Sequence, residues 1–248
     1  MRSVSFVACL LLMTAAPSAS AQSDERPLSQ LEIAVACAPP TSLEPPAGRA
    51  LHVVGAQDTA RRSLFGQTDL LVIDGGTNAN VQINQQYFVR HPVSDKYGRH
   101  SGGITTLGWL RIVAVNESTA IASVQHMCDG ISTDDYLEPF VRPSVPADLV
   151  RAEPTGELDF TSLGRVVSGS ENRGLAGAHS LLLIDRGADQ GTTAGARFAV
   201  YRDVNEKGVP LSAVGEGVVV SVGKTMSLAW LTKSRDAIVP GDYVVPRK

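Results

Sequence analysis

Aromatic side chains make up only 5% of this 248-residue chain. A sugar groove walled by aromatic rings, or a platform on which bases stack, therefore has little to be built from. Positive charge is no more abundant: 22 Lys and Arg stand against 25 Asp and Glu, for a formal charge of -3. Without a basic domain or a Lys/Arg cluster, neither nucleic acid nor an anionic lipid surface is an expected partner. No stretch has the roughly 20 consecutive apolar residues that a membrane-crossing helix needs. Histidine occurs five times, at positions 52, 91, 100, 126 and 179, with no i,i+4 or His-x-His ligand pair. No Gly-x-Ser-x-Gly elbow marks a nucleophile. Gly187 and Gly191 lie between strands with no helix to follow, so no phosphate cradle is present. No catalytic residue, metal or cofactor is expected.

The chain opens with a secretory pattern. Arg2 supplies the positive end, Phe6 to Ala16 the apolar segment and Ala19-Ser20-Ala21 the small-residue cleavage site. Residues 1–21 read as a signal peptide, and the mature protein is expected to be exported, periplasmic or extracellular. Lipid attachment at Cys9 or Cys37 fits less well, because Cys9 has too little apolar sequence ahead of it and Cys37 lies well past the cleavage point. Cleavage removes Cys9 and leaves Cys37 and Cys128, an even count in an oxidising space. A Cys37–Cys128 disulfide is the expectation and two buried thiols the alternative. A metal site is not expected of them, since neither has a second Cys or a His at the usual ligand spacing.

What is present is an internal repeat. Asp69 to His91 aligns without a gap on Ser180 to Arg202, an offset of 111 residues that carries Asp74 onto Asp185 and Gly76 onto Gly187. Leu107 to Val124 aligns on Val214 to Leu231 at an offset of 107, which also carries Asp135-Tyr136 onto Asp242-Tyr243. Self-similarity of this kind means that each unit is a module with its own strand order. Within each unit, short runs rich in Val, Ile and Leu are bounded by Gly, Pro, Asp and Asn, the pattern of strands joined by turns. In the first unit strands are expected near 70–73, 86–91, 108–115, 120–125 and 136–139. In the second they fall near 181–184, 197–202, 215–222, 227–232 and 243–246. Five short strands with one apolar face close into a small barrel, which also removes exposed edges. The fold class is therefore all-β: two tandem homologous SH3-like barrels, 51–140 and 164–248. A Pro-rich N-terminal arm, 22–50, precedes them and a proline-stiffened linker, 141–163, joins them. In the arm only Leu31 to Ala36 is apolar enough to pack. Two units so short of apolar mass are expected to pack on each other or on the arm.

Asp74-Gly75-Gly76 and Asp185-Arg186-Gly187 each follow an apolar strand. Two such Asp, one per half, suggest an acid dyad of the aspartic-protease kind, which needs both carboxylates to converge on one water. Neither is followed by the Thr-Gly or Ser-Gly of that chemistry. A turn explains them better, with Asp bonding backbone N–H groups and Gly76 and Gly187 supplying positive φ. Pro240-Gly241-Asp242 reads as a turn feeding the last strand, and Tyr136 and Tyr243 as anchors with a wet hydroxyl. Arg90 and His91 in one unit, and Arg202 in the other, end a strand just before the longest and least similar loops, 92–106 and 203–213. Variable loops on a rigid scaffold are where binding concentrates, which makes these three the candidate binding residues.

The second unit resembles the small β-barrel repeat at the C-terminus of the flagellar assembly protein FlgT. The residues that carry the likeness are Leu181 to Asp185 and Gly187, Gly195-Ala196-Arg197-Phe198, the Val-Gly run from Val214, Ser227-Leu228-Ala229, and Gly241-Asp242-Tyr243-Val244. Similar repeats occur in exported bacterial proteins that also carry LysM modules. In the first unit Asn80, Asn84 and Asp134 stand where that pattern has glycine. The resemblance implies an exported, non-catalytic module of the bacterial envelope that acts through assembly contacts with another envelope protein. Two alternatives stand beside it, a periplasmic hydrolase with its site at the junction of the repeats and a binder of peptidoglycan or another polysaccharide.

Overall fold

A computed structural model of the chain describes residues 26–42, 50–59, 61–94, 100–146, 149, 155–169, 174–204 and 206–248. The signal segment 1–21, Cys9 within it and the Pro45-Pro46 pair lie outside the described residues. Two closed antiparallel barrels follow one short helix, α1 (Gln30–Cys37). The first barrel uses β1 (Leu51–Ala56), β3 (Leu70–Ile73), β4 (Gln86–Ser94), β5 (His100–Val115), β6 (Ala120–Met127) and β8 (Tyr136–Pro139), closing in the order β1-β3-β6-β5-β4-β8. A two-residue pair, β2 (Leu64–Phe65) with β7 (Ile131–Ser132), stands beside it. The second barrel uses β9 (Gly164–Gly169), β10 (Leu181–Ile184), β11 (Arg197–Arg202), β12 (Ser212–Val222), β13 (Ser227–Ser234) and β14 (Tyr243–Pro246). It closes as β9-β10-β13-β12-β11-β14, the same cyclic order. Even the small pair has its counterpart, the single bridge Ala176 to Ile238.

Each barrel has six strands, one more than the sequence pattern yields. The unforeseen members are β1 and β9, which open the two units. Each is short, carries glycine and is broken by a bulge against its neighbour, and Val53 and Val166 are their only buried apolar side chains, since the other buried positions of β9 are glycines. A strand with one buried apolar side chain has no hydrophobic alternation to detect.

Inside the first barrel, Val53, Leu71, Ile73, Val89, Leu110, Ile112 and Leu137 fill the bore, and Val166, Leu182, Ile184, Val200, Leu231 and Val244 do so in the second. Alternate strand residues point to one face, and these are the inward sets. Closure pairs the two edge strands of each six-stranded sheet, which a domain of this size otherwise has to protect.

The repeat also explains backbone details. Gly191, Gly195 and Gly241 hold positive φ in the second barrel, and their aligned partners Asn80, Asn84 and Asp134 hold positive φ in the first. Asn and Asp are the residues that tolerate the left-handed region at least cost after glycine. The turn geometry is retained while the residue changes.

The 22–50 segment contains the helix that joins the barrels. Ser29 caps it, accepting from the Glu32 N–H, while the Glu32 carboxylate accepts from the Ser29 N–H at 2.8 Å. Beyond Cys37, Ala38 turns to extended backbone and Pro39-Pro40 prevents continuation. Leu31, Ala34 and Val35 pack with Leu181, Val218, Val220 and Leu228 on the outer wall of the second barrel, joined by Val145 and Leu149 from the linker. Ile33, Ala36 and Cys37 pack with Phe88, Trp109 and Phe140 on the outer wall of the first. Its apolar side chains point both ways because a barrel stands on either side, while Gln30 stays exposed.

Candidate functional site

Where α1 ends, Cys37 is bonded to Cys128 just beyond β6, with Cα atoms 5.5 Å apart. The disulfide anchors the helix to the first barrel across 91 residues of sequence. Beside it, Trp109 stacks on His126, their centroids 4.7 Å apart, and Phe140 packs against Phe88 at 4.7 Å.

Arg90 lies beneath the same helix end and is 6% exposed. Its Nε donates to Glu138 at 2.9 Å and its Nη1 to Thr106 Oγ1, while the guanidinium sits 4.3 Å over the Phe88 ring. Thr106 in turn donates to the Ala38 carbonyl at 2.7 Å. Burial pushes the Arg90 pKa down, and Glu138 opposes that shift. The chain of bonds satisfies a buried cation and the first carbonyl past the helix together, so Arg90 acts as an internal tie between strands and helix.

The other two candidate binding residues form a pair related by the repeat. His91 Nδ1 lies 2.6 Å from Asp135 Oδ1, and Arg202 holds Asp242 in a fork, Nε at 2.9 Å and Nη2 at 2.7 Å. Each Asp is nearly fully buried and also accepts from the backbone of its own turn, Asp135 from Ser132 and Asp242 from Val239. A buried carboxyl group needs this full set of hydrogen-bond partners to offset the water it has lost. Arg202 does end β11, but Arg90 and His91 lie inside β4, which pairs with β5 as far as Ser94 and His100, so most of the expected loop 92–106 is a strand pair; all three side chains turn to their own barrel.

Asp74 and Asp185 are likewise held inside their own barrels. Asp74 accepts from the His52 N–H at 2.6 Å and Asp185 from the Arg165 N–H. These donors lie 22 and 20 residues away, on the first strand of each barrel, so the carboxylates staple β1 and β9 rather than close a local turn. The glycines beside them correct the sequence reading. Gly76 and Gly187 have φ of -130° and -128°, which any residue can adopt. Glycine is required there because a Cβ would overlap the backbone of the facing hairpin, Asn116-Glu117 in one barrel and Gly223-Lys224 in the other. Gly241, by contrast, has the expected positive φ, 93°.

Tyr136 is buried, and burial pushes its hydroxyl pKa up. Tyr243 is half-buried under the Arg165 guanidinium, 3.6 Å from its ring centroid. Trp109 and Trp230 belong to the two walls that clasp α1, so they do not combine into an exposed aromatic row.

The junction leaves a groove of about 750 Å³ whose walls come from four parts of the chain. Pro39 and Pro40 follow the helix, Phe88 and Glu138 belong to the first barrel, Pro143 to the linker and Val220 to the second barrel. Arg90 reaches it already engaged by Glu138 and Thr106. Of the sequence candidates, the fold therefore brings Arg90 and the disulfide to the junction, while His91, Arg202 and the two turn Asp remain within individual barrels. The groove itself was missed because its walls are far apart in sequence.

The expectation of no metal ligands rested on spacing along the chain. Folding brings Cys37 to Cys128 and His126, with candidate ligand atoms of all three within 4.8 Å of one another. Among the described residues no helix is long and apolar enough to cross a membrane. No family model matches the chain, and no curated protein does.

Proposed function

We propose that the chain is an exported, non-catalytic binding or structural module of the bacterial envelope, acting through assembly contacts with another protein. The observation that carries this reading is the clasp at α1, which joins two outer barrel walls through one apolar helix and one disulfide. Such a body suits a platform, because the charged candidates are committed to internal pairs and the repeats differ most in their projecting loops. Val204 and Val209, both exposed, give the loop after β11 an apolar contact surface. The disulfide and the likeness to the FlgT barrel repeat support export and an envelope assembly role.

The test is a photo-crosslinking amino acid placed at Val209 in the producing cell, with Lys224 on a hairpin of the same barrel as the control position. The expected result is one discrete adduct with an envelope protein from Val209, followed by binding of the purified pair that a Val204→Asp, Val209→Asp variant weakens at least tenfold. Peptide or peptidoglycan hydrolysis by the purified chain, lost in Glu138→Gln with the fold intact, would instead establish an enzyme at the junction. Adducts only with polysaccharide would establish the glycan reading.

A further inference from the structure

We propose that Cys37, Cys128 and His126 form a three-ligand site for a thiolate-preferring metal ion of the Zn(II) type once the disulfide is reduced. The two Sγ atoms and a ring nitrogen of His126 already lie within 4.8 Å of one another, and all three residues are half-buried. An ion can reach them, yet they are partly screened from bulk water. His126 lies near the end of β6 and Cys128 in the bend just beyond it, and the bend keeps the two side chains together. Cys37 reaches them from the end of α1. The imidazole is held by its stack on Trp109, 4.7 Å away and inclined by 21°, and Phe140 packs against the same indole at 5.7 Å. An apolar shell of this kind limits water and fixes ligand orientation.

Thiolates bound to one tetrahedral Zn(II) at about 2.3 Å each stand roughly 3.8 Å apart. With Cα atoms 5.5 Å apart, side-chain rotation of the two cysteines reaches that spacing. A dithiol reductant passes two electrons and two protons to the cystine by thiol–disulfide exchange and is itself left as a disulfide. The ion then replaces the two thiol protons, which are released, while neutral His126 donates a nitrogen lone pair. Three protein ligands leave a fourth position open to water. In either state the last residue of α1 is tied to the end of β6, by a covalent bond when oxidised and by the ion when reduced.

The experiment uses the whole chain, reduced with a water-soluble phosphine and titrated with Co(II). One equivalent is expected to produce thiolate-to-Co(II) charge-transfer absorption, and one equivalent of Zn(II) to discharge it. Fluorescence of Trp109, read in a Trp230→Phe background, should be quenched by Co(II) in step. The oxidised chain should give neither signal. His126→Ala retains the cystine and so tests the site without removing the anchor. Loss of an outer-shell partner alone costs 10-fold or more, so loss of this ligand should weaken Zn(II) binding by at least about tenfold. Cys37→Ser should abolish the two-thiolate spectrum. Should the reduced chain lose its β circular dichroism, Zn(II) is expected to restore it. Absence of a charge-transfer band, equal Zn(II) affinity in His126→Ala, or failure of Zn(II) to restore a lost fold would each overturn the proposal.

Discussion

Replacing Gly187 by alanine separates two accounts of why glycine stands after the strand. If positive φ were the reason, alanine would suffer from backbone strain; at φ -128° it suffers none. The obstacle is the hairpin opposite. An added Cβ would stand 2.6 Å from the Gly223 oxygen and closer still to that of Lys224. Backbone carbonyls cannot rotate aside, so the hairpin has to retreat by about 1 Å to restore van der Waals contact. That movement breaks the bonds from Ala188 N to Gly223 O, 2.9 Å, and from Asp189 N to Lys224 O, 3.0 Å. Two hydrogen bonds at about 0.5–1.5 kcal/mol each, with roughly 1–3 kcal/mol of overpacking, give a loss near ~4 kcal/mol. At about 2–4 °C per kcal/mol for a chain of this size, the midpoint should fall by roughly 8–16 °C. Trp230 reports on the second barrel alone in a Trp109→Phe background, since the chain has two Trp. The control is Gly191→Ala, at φ 73° with open space around it, which should cost only about 1–2 kcal/mol. A Gly187→Ala protein within about 0.5 kcal/mol of its parent, or more stable than Gly191→Ala, would refute the steric account.

Three further outcomes follow from the same structure. Reduction of the mature protein should add the mass of two hydrogens, and Cys37→Ser should cost about 4–5 kcal/mol in urea unfolding, the chain-entropy value for a loop of this length; two free thiols in exported protein would contradict it. Asp74→Asn combined with Asp185→Asn keeps an oxygen facing each first-strand N–H and should cost under about 1 kcal/mol per site with any function retained, whereas Asp185→Ala should cost about 1.5–3 kcal/mol; loss of function in the Asn pair at an unchanged midpoint would reveal a catalytic role. The Arg26 guanidinium, then the Ser29 backbone N–H and hydroxyl, holds the Glu32 carboxyl well below its ordinary pKa of 4.5, so its stabilising contribution is complete above that value and is lost as pH falls below it; the stability difference between the native chain and Glu32→Gln should therefore be largest near pH 7 and shrink in acid, and a difference constant from pH 7 to 3 would exclude this carboxylate as the source.

The barrels were legible because their rules are local and occur twice. Ile73-Asp74 and Ile184-Asp185 mark a strand and its end in both units, and Asn80, Asn84 and Asp134 occupy the left-handed positions of Gly191, Gly195 and Gly241. What failed was the assignment of cause at Gly76 and Gly187. Glycine permits both positive φ and close backbone approach, and sequence does not distinguish them. The cationic positions failed for a similar reason. Arg90, His91 and Arg202 come before the least similar segments of the repeats, yet their partners Glu138, Asp135 and Asp242 lie about 40 or more residues along the chain.

The junction is a different case, because one part of it is written in the sequence. An eight-residue helix clasped on both sides shows no amphipathic period, so α1 itself gives little signal. The walls it touches do give one. In the second unit Leu181 to Ile184 is apolar at every position and buried at every position, and Val218, Val219 and Val220 are buried in succession. A strand apolar on both faces is covered on both faces. The aligned positions of the first unit differ: exposed Arg111 stands where buried Val218 does, and Ser123 where Trp230 does. Two copies of one barrel that differ in outer-wall polarity cannot both meet water there. The apolar copy needs a cover, and the apolar piece of the 22–50 arm is Leu31 to Ala36, the segment that packs against β10, β12 and β13.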